Sequence, residues 1–341
     1  MRFGVVGCGV ISLKGHLPSM KSLENIEVVA VTDVNENAAK KAAKKFGVKK
    51  YYTDFREMLK DDSIDAVTIA TPTPTHGKIA LECAEAGKHI VVEKPLTTTL
   101  AEGLAVRDTV KKNNVKLTVV QNYRFFPEVR KAKKKVLRGS IGSILTAHGV
   151  ACTPWPNQWT RSTWLYNEPG VLLDFAPHLV DSLLWIINSK PEKIYAIGGD
   201  SAGHANFFTY SQILVQFQNQ AIATLELLWT NMLRFSFSLM GTSGRIRVDP
   251  RYRVAFETHG IKTPVDDIRL LFESTKVIKD ILRGTFFKLP LMTYEYLYSD
   301  FVNAVEKNKN PIVTIDEAVD VVAILEYAYR SIKEDKAFNF T

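Results

Sequence analysis

Four short stretches of the chain carry side chains that could do chemistry. The first is a glycine loop, Gly7-Cys8-Gly9-Val10-Ile11-Ser12, set between the apolar run 3–6 and a helical pattern. A second apolar run, 26–32, ends at Asp33. Strand, glycine turn, helix and an acid about 20 residues past the loop make a dinucleotide-binding signature, whereas the loop alone is a weak signal. Gly7 permits the tight turn, Gly9 lets backbone approach a pyrophosphate, and Ser12 takes the third position, which has only to be small. Val10 and Ile11 open the next helix, where backbone N–H groups and the helix dipole favour phosphate. Asp33 would accept a hydrogen bond from a ribose 2′-hydroxyl and repel a 2′-phosphate, so NAD is expected rather than NADP. The plain alternative is a strand–turn–helix connection with no ligand.

The second stretch, Thr71-Pro72-Thr73-Pro74-Thr75-His76, follows the fourth strand of the pattern. Two prolines stiffen it, and Thr75 is placed to cap the next helix. Ligands of doubly wound sheets bind at the carboxyl ends of the strands, so Thr71, Pro72, Thr73 and His76 are expected along the cofactor. The third stretch, Glu93-Lys94-Pro95, follows the fifth strand. An ammonium there could polarise a carbonyl or stabilise an alkoxide. Pro95 fixes φ and admits a cis bond; the alternative is an ordinary surface turn. The fourth is Asp174-Phe175-Ala176-Pro177-His178-Leu179-Val180-Asp181. Asp174 reads as an N-cap, and the i, i+4, i+7 spacing puts Asp174, His178 and Asp181 on one helix face. A histidine near a carboxylate in apolar surroundings suits proton transfer near neutral pH. The alternative is a core histidine held by a local acid.

These stretches need a scaffold. Apolar runs at 3–6, 27–31, 66–70, 89–92 and 116–120 alternate with helical patterns at 38–46, 76–86 and 100–113. Such alternation predicts a parallel sheet of about six strands with helices on both faces. After residue 120 the pattern changes. A basic helix at 127–138 leads to a strand at 144–152, an irregular aromatic stretch at 153–169 and an apolar helix at 174–187. Runs at 193–197, 207–216, 221–229, 235–240 and 245–248 follow closely, with a tight turn at Gly241-Thr242-Ser243-Gly244. Close spacing predicts a large, mostly antiparallel sheet. The tail reads as helices at 272–282, 292–307 and 316–333, while 257–290 fits no clear pattern beyond a basic, partly amphipathic stretch from 276 to 289. The expected fold is α/β: a Rossmann doubly wound domain over 1–120, then an α/β domain over 121–341 for substrate and oligomerisation.

Composition narrows the class. The 341 residues are 46% hydrophobic and 23% charged, enough for two well-buried cores. No apolar run reaches the length of a membrane span, and the chain enters its first strand without a signal-peptide pattern. Cys8, Cys83 and Cys152 are odd in number and far apart, so neither a disulfide framework nor a metal site follows. A cytoplasmic location is expected. The net charge of +8 sits largely on helix faces such as Lys40, Lys41, Lys44 and Lys45, with no nucleic-acid motif beside it. Solvated faces are expected, with steering of an anionic substrate as the other option.

Together, Gly-x-Gly at the N-terminus, Glu93-Lys94-Pro95 and Asp174-x3-His178-x2-Asp181 resemble the Gfo/Idh/MocA oxidoreductases, the family of glucose–fructose oxidoreductase and inositol 2-dehydrogenase. Asn122-Tyr123-Arg124-Phe125-Phe126-Pro127 is similar to the family's segment at the domain junction, and 294–301 and 311–331 to its closing helices. The departures are a glycine run reduced to Pro169-Gly170 and Ala176 in place of a frequent glycine. The resemblance implies reversible oxidation of a secondary alcohol on a sugar, cyclitol or nucleotide-sugar. His178 would take the hydroxyl proton, Lys94 would hold the developing alkoxide, and Asp174 would orient His178. Glu93, Lys94 and Asn122 would join the cofactor contacts, and a dimer or tetramer would form through the C-terminal sheet. A non-catalytic dinucleotide-binding regulator and a glycosidase that cycles bound NAD remain open on the same fold. Trp155, Trp159 and Trp164 offer flat rings to a sugar, or else pack a loop or an interface. Arg124 and Arg161 offer forks for a carboxylate or phosphate, or else pair with local acids such as Glu128 and Glu168.

Overall fold

In the computed structural model the described residues are 1–156, 169–201, 203, 207–250, 254–258 and 285–340. The chain divides into two compact units, Met1–Asn122 with Pro290–Val322 and Tyr123–Leu289 with Ala323–Thr341. The break after residue 122 lies close to the expected 120. The closing segment differs: Pro290–Val322 was expected in the second domain and belongs to the first unit. Its tyrosines and phenylalanines complete that unit's core, which residues 1–122 alone leave uncovered.

The first unit is built on apolar runs buried on both faces, as strands of a parallel sheet must be. β1 (Arg2–Val6), β2 (Glu27–Thr32), β3 (Lys50–Tyr52), β4 (Ala66–Ile69), β5 (His89–Val92) and β6 (Leu117–Val119) form one parallel sheet in the order β3-β2-β1-β4-β5-β6. The order reverses between β1 and β4, the switch point where such sheets take ligands. Residues 10–21 are helical, with a π-turn over Ser12–His16 before α1 (Leu17–Lys21). The helices α2 (Glu36–Phe46), α3 (Phe55–Leu59), α4 (His76–Glu85) and α5 (Leu100–Lys112) fill the crossovers. α2 starts where the Asn35 side chain accepts the N–H groups of Asn37 and Ala38, and stops at Gly47 in the left-handed region.

The second unit holds α6 (Pro127–Leu137), β7 (Ile144–Thr153), the one-turn α7 (Val171–Asp174) and α8 (Ala176–Ile187). β8 (Pro191–Gly199), β9 (Tyr210–Phe217), β10 (Ile222–Trp229), β11 (Arg234–Gly241), β12 (Arg245–Asp249), β13 (Val254–Thr258) and the short β14 (Phe338–Asn339) complete a sheet ordered β13-β12-β11-β7-β10-β9-β8-β14. β7 and β10 pair in parallel and the other pairs are antiparallel. The turn between β11 and β12 is the expected one, closed by the Gly241 N–H on the Gly244 carbonyl at 2.8 Å. α8 is apolar nearly all round and buried along its length. It sits so close to the sheet that a Cβ on Gly149 of β7 would lie 2.7 Å from Leu179 Cδ1.

The last helices are α9 (Thr285–Glu306), which starts before the expected 292, and α10 (Ile315–Glu334). The helix expected at 272–282 lies outside the described residues. Among the described residues no helix is long and apolar enough to cross a membrane.

Candidate active site

In the first unit β1 runs into the glycine loop. Gly7 has φ +96°, and a Cβ there would lie 2.4 Å from the Ala70 carbonyl oxygen, so only glycine fits. A Cβ on Gly9 would meet nothing within 4 Å. The backbone at Gly9 therefore borders open space at the start of a helix, as a pyrophosphate cradle requires. Ser12 is buried and its hydroxyl donates to the Gly7 carbonyl, which fixes the loop from beneath. Val10 and Ile11 are exposed at the helix start. Asp33 faces the loop: one carboxylate oxygen accepts the Cys8 N–H at 2.8 Å and the other the Asn35 N–H at 2.9 Å. An open cradle at Gly9 and an acid anchored beside it fit NAD. Burial, with the Asp33 charge adding, pushes the Cys8 thiol up to about 12, so it is no nucleophile at neutral pH.

The β4 turn differs from expectation in two places. Thr75 does not cap α4. Its hydroxyl donates to the Pro72 carbonyl at 2.7 Å and meets the Thr71 hydroxyl at 2.7 Å, so it folds the turn instead. His76, expected along the cofactor, is enclosed. Its Nδ1 lies 2.9 Å from the Pro95 carbonyl and its Nε2 2.9 Å from the Thr71 carbonyl, so the ring ties the β4 turn to the β5 turn. Burial lowers its pKa. Thr73 is buried and Pro72 exposed.

At the β5 turn the Lys94–Pro95 bond is cis and Lys94 is half-buried. Glu93 is buried and turned inward. Its Oε1 lies 3.0 Å from His16 Nε2 and accepts the Tyr294 hydroxyl at 3.3 Å, while its Oε2 accepts the Lys94 N–H at 3.1 Å. The carboxylate expected at the cofactor is thus held by His16, Tyr294 and the Lys94 backbone. Burial works against its charge, but the His16 hydrogen bond and the neighbouring Lys94 charge hold its pKa below the usual range. Asn122 is buried, with its amide donating to the Thr293 hydroxyl at 3.0 Å.

In the second unit His178 is buried near the start of α8. Tyr123 lies over it with ring centroids 4.4 Å apart, and Phe175 meets it edge-on at 5.6 Å. Asp174 is buried and is not the N-cap of α8. The helix breaks at Phe175, because Pro177 admits an α-helix only in its first turn. The Asp174 carboxylate accepts the Thr153 hydroxyl at 3.1 Å and the Trp229 indole N–H at 2.9 Å. Burial, with the Asp174 charge adding, raises the pKa of the Tyr123 phenol. Trp155 is half-buried against Trp229, with ring centroids 5.8 Å apart.

The expectation for Arg124 is corrected. Both its side chain and that of Asp181 are fully buried, and the guanidinium forks onto the carboxylate at 2.8 and 2.7 Å. Its plane also lies over Trp185 at 5.4 Å. The fork expected to be free for an anion is taken up by Asp181 inside the unit. Asp181 correspondingly serves Arg124. Arg161, Trp159 and Trp164 lie outside the described residues. Sequence reasoning missed His16, Thr153, Trp229, Tyr294 and Tyr298. A lone histidine in the first helix was the only sign of the His16 cluster, since its partners are up to 282 residues away.

Family models match both parts of the chain. A family model described as the oxidoreductase family with an NAD-binding Rossmann fold matches residues 1–121, and the GFO/IDH/MocA C-terminal domain matches residues 129–247. The chain belongs to the Gfo/Idh/MocA oxidoreductases and is a nicotinamide-dependent dehydrogenase. It is 29% identical over 261 residues to myo-inositol 2-dehydrogenase of Thermotoga maritima, covering 73% of this chain and 75% of that one. It is 37% identical over 190 residues to scyllo-inositol 2-dehydrogenase (NAD(+)) of Bacillus subtilis, covering 56% and 55%. The WlbA dehydrogenase of Bordetella pertussis, solved in complex with NADH and UDP-GlcNAcA, shares the fold at a TM-score of 0.86 with 23% identity, over 100% of this chain and 98% of that one.

Proposed function

We propose that the chain reversibly oxidises a secondary alcohol of a sugar, cyclitol or nucleotide-sugar, with NAD preferred to NADP. The carrying observation is His178: a buried imidazole walled by Tyr123 and Phe175, four residues on from a carboxylate that Thr153 and Trp229 hold in place. Gly7, Gly9, Val10 and Ile11 would hold the cofactor pyrophosphate and Asp33 its adenosine ribose. Asn122, Thr71, Pro72 and Thr73 would add further cofactor contacts. When bound, NAD supplies the hydride acceptor.

The remaining chemistry belongs to the chain. His178 takes the hydroxyl proton as general base, and Asp174 favours the imidazolium that results. The Lys94 ammonium donates to the substrate oxygen and stabilises the alkoxide as it forms. Two inositol dehydrogenases among the relatives support a polyol substrate. Trp155 offers a flat ring to it, and Trp164 and Arg161 are proposed as further contacts. With Arg124 committed to Asp181, the case for an anionic substrate rests on Arg161 and on the net charge of +8.

We also infer a dimer or tetramer built on the open face of the large sheet. Ile197 and Met240 are each 52% exposed there, Leu214 44% and Ile222 41%, an apolar area of the kind that partners cover. The three cysteines are buried free thiols, which fits the proposed cytoplasmic location.

A panel of inositols, sugars and UDP-sugars, followed by NADH absorbance, tests the activity. At least one should be oxidised, and Lys94→Ala and His178→Ala should each lower kcat by about 10²–10⁴-fold with NAD affinity within a few-fold. Near wild-type turnover in either variant removes that residue from the reaction. Hydrolysis with tightly held cofactor and no net NADH would favour a redox-cycling glycosidase.

A further inference from the structure

Beneath the Lys94 turn lies a closed set of polar contacts that cofactor binding does not explain. His16 is fully buried, and its two ring nitrogens are both engaged: Nε2 with Glu93 Oε1 at 3.0 Å and Nδ1 with the Tyr298 hydroxyl at 2.7 Å. The Tyr298 hydroxyl also meets Thr68 Oγ1 at 2.9 Å. One tautomer satisfies every group. With the proton on Nε2, His16 donates to the Glu93 carboxylate, and Nδ1 accepts from Tyr298, whose oxygen accepts from Thr68. Tyr294 adds a second donor to Glu93 Oε1 at 3.3 Å and packs edge-on against the His16 ring at 5.0 Å. The other Glu93 oxygen accepts the backbone N–H of Lys94.

This is an expensive way to fill a core. Apolar side chains of the same volume would avoid the desolvation of a carboxylate and an imidazole. What the polar set adds is direction. Each hydrogen bond fixes the next, and the last one fixes the peptide from which the Lys94 side chain departs. The π-turn over Ser12–His16 holds His16 in the buried face of its helix. Small displacements matter at such a place, because an error of about 1 Å in a reacting group can cost about a hundredfold in rate.

We propose that His16 and Tyr298 are positioning residues for the dehydrogenase reaction: they lock the Glu93 carboxylate, which grips the Lys94 backbone and so sets where the Lys94 ammonium is presented. The proposal rests on the catalytic role assigned to Lys94 above. A plain structural brace would lower stability and leave Lys94 chemistry as it is.

The test uses the full chain loaded with NAD and the variants His16→Leu, His16→Gln and Tyr298→Phe. Two quantities are read: the rate at which Lys94 takes up a trace amine-acylating reagent, by peptide mass spectrometry, and kcat and KM on the substrate found in the panel. His16→Leu should change Lys94 labelling several-fold and lower kcat about ten- to hundredfold, with KM within about threefold. His16→Gln keeps an N–H donor at the depth of Nε2 and should recover most of both. Tyr298→Phe removes one hydroxyl and leaves the ring edge-on to Phe3, so it keeps the test open should His16→Leu fail to fold. It should shift both readouts in the same direction by a smaller factor. Wild-type labelling in His16→Leu and Tyr298→Phe, with only a fall in Tm, overturns the proposal. The labelling readout needs no turnover. A Lys94→Ala variant with full activity would overturn the role of Lys94 itself, a different failure.

Discussion

Asp33 enters the cofactor question with two backbone N–H groups already holding its carboxylate. These bonds hold its charge beside the loop, where it would oppose the 2′-phosphate of NADP. NAD should bind at least tenfold more tightly, and Asp33→Ala should narrow that ratio to a few-fold by calorimetric titration; tighter NADP binding by the wild type would refute the assignment. His89 carries a pH prediction. Its Nδ1 accepts the Lys116 N–H at 3.0 Å, and burial together with the Lys116 charge lowers its pKa below 6.5. Above that value both states are neutral and its contribution to stability is complete. As pH falls below it, the unfolded chain takes up a proton that the folded chain refuses, and stability is lost down to the folded pKa. His76, lowered by burial, has the same sign. Tm should therefore decline from pH 7.5 to 5.5, and His89→Asn, which keeps an acceptor for Lys116, should make the decline shallower. At this scale the sequence shows residue types and spacing but not burial. The place of Asp33 beside the glycine loop was legible because a fixed distance from such a loop defines it. Arg124 stood open between an anion and an acid partner, because nothing local shows that Asp181, 57 residues on, takes its fork.

Among the elements, the contact of β7 with α8 is the most demanding. Gly149 lets Leu179 of α8 close on the strand, and a Cβ there would meet three carbons of the Leu179 side chain. Gly149→Ala should cost about 1–3 kcal/mol by overpacking. Because Leu179 follows His178, it should also lower kcat; an unchanged Tm in thermal denaturation would show that α8 moves freely. The elements were legible where hydrophobic periodicity was strong. β1, β2, β4 and β5 are rich in buried valine and other apolar residues, and their bounds were read to within a residue or two. β3 was counted among the six strands but not located, because its three residues, Lys50 to Tyr52, are partly exposed and carry no apolar pattern. The interruption between α7 and α8 escaped because the helical apolar spacing continues through Phe175 while the backbone does not. The caps assigned to Thr75 and Asp174 failed for one reason. Each side chain had a better partner, the turn itself for Thr75 and Trp229 for Asp174.

For the whole molecule, the open sheet face predicts association. Charge placed on it, as in Ile222→Asp combined with Leu214→Lys, should convert the proposed oligomer to monomer in light scattering while leaving NAD affinity intact. An unchanged molar mass would remove that face from the assembly. The two-unit plan was legible from the change of pattern near residue 120, but the return of 290–322 to the first unit was not. Helical periodicity shows that a segment has an apolar face and is silent on which sheet that face meets. The return sets the order of manufacture against the order of completion. When Asn122 leaves the ribosome, the segment that covers Phe3 and His16 is still unmade, with residues 123–289 to be translated first. At about 5–20 residues per second this wait lasts on the order of ten to thirty seconds. Throughout it Phe3 and His16 lack the cover that Tyr298 gives them in the folded unit. The first unit is thus completed only after residues 123–289 have been made.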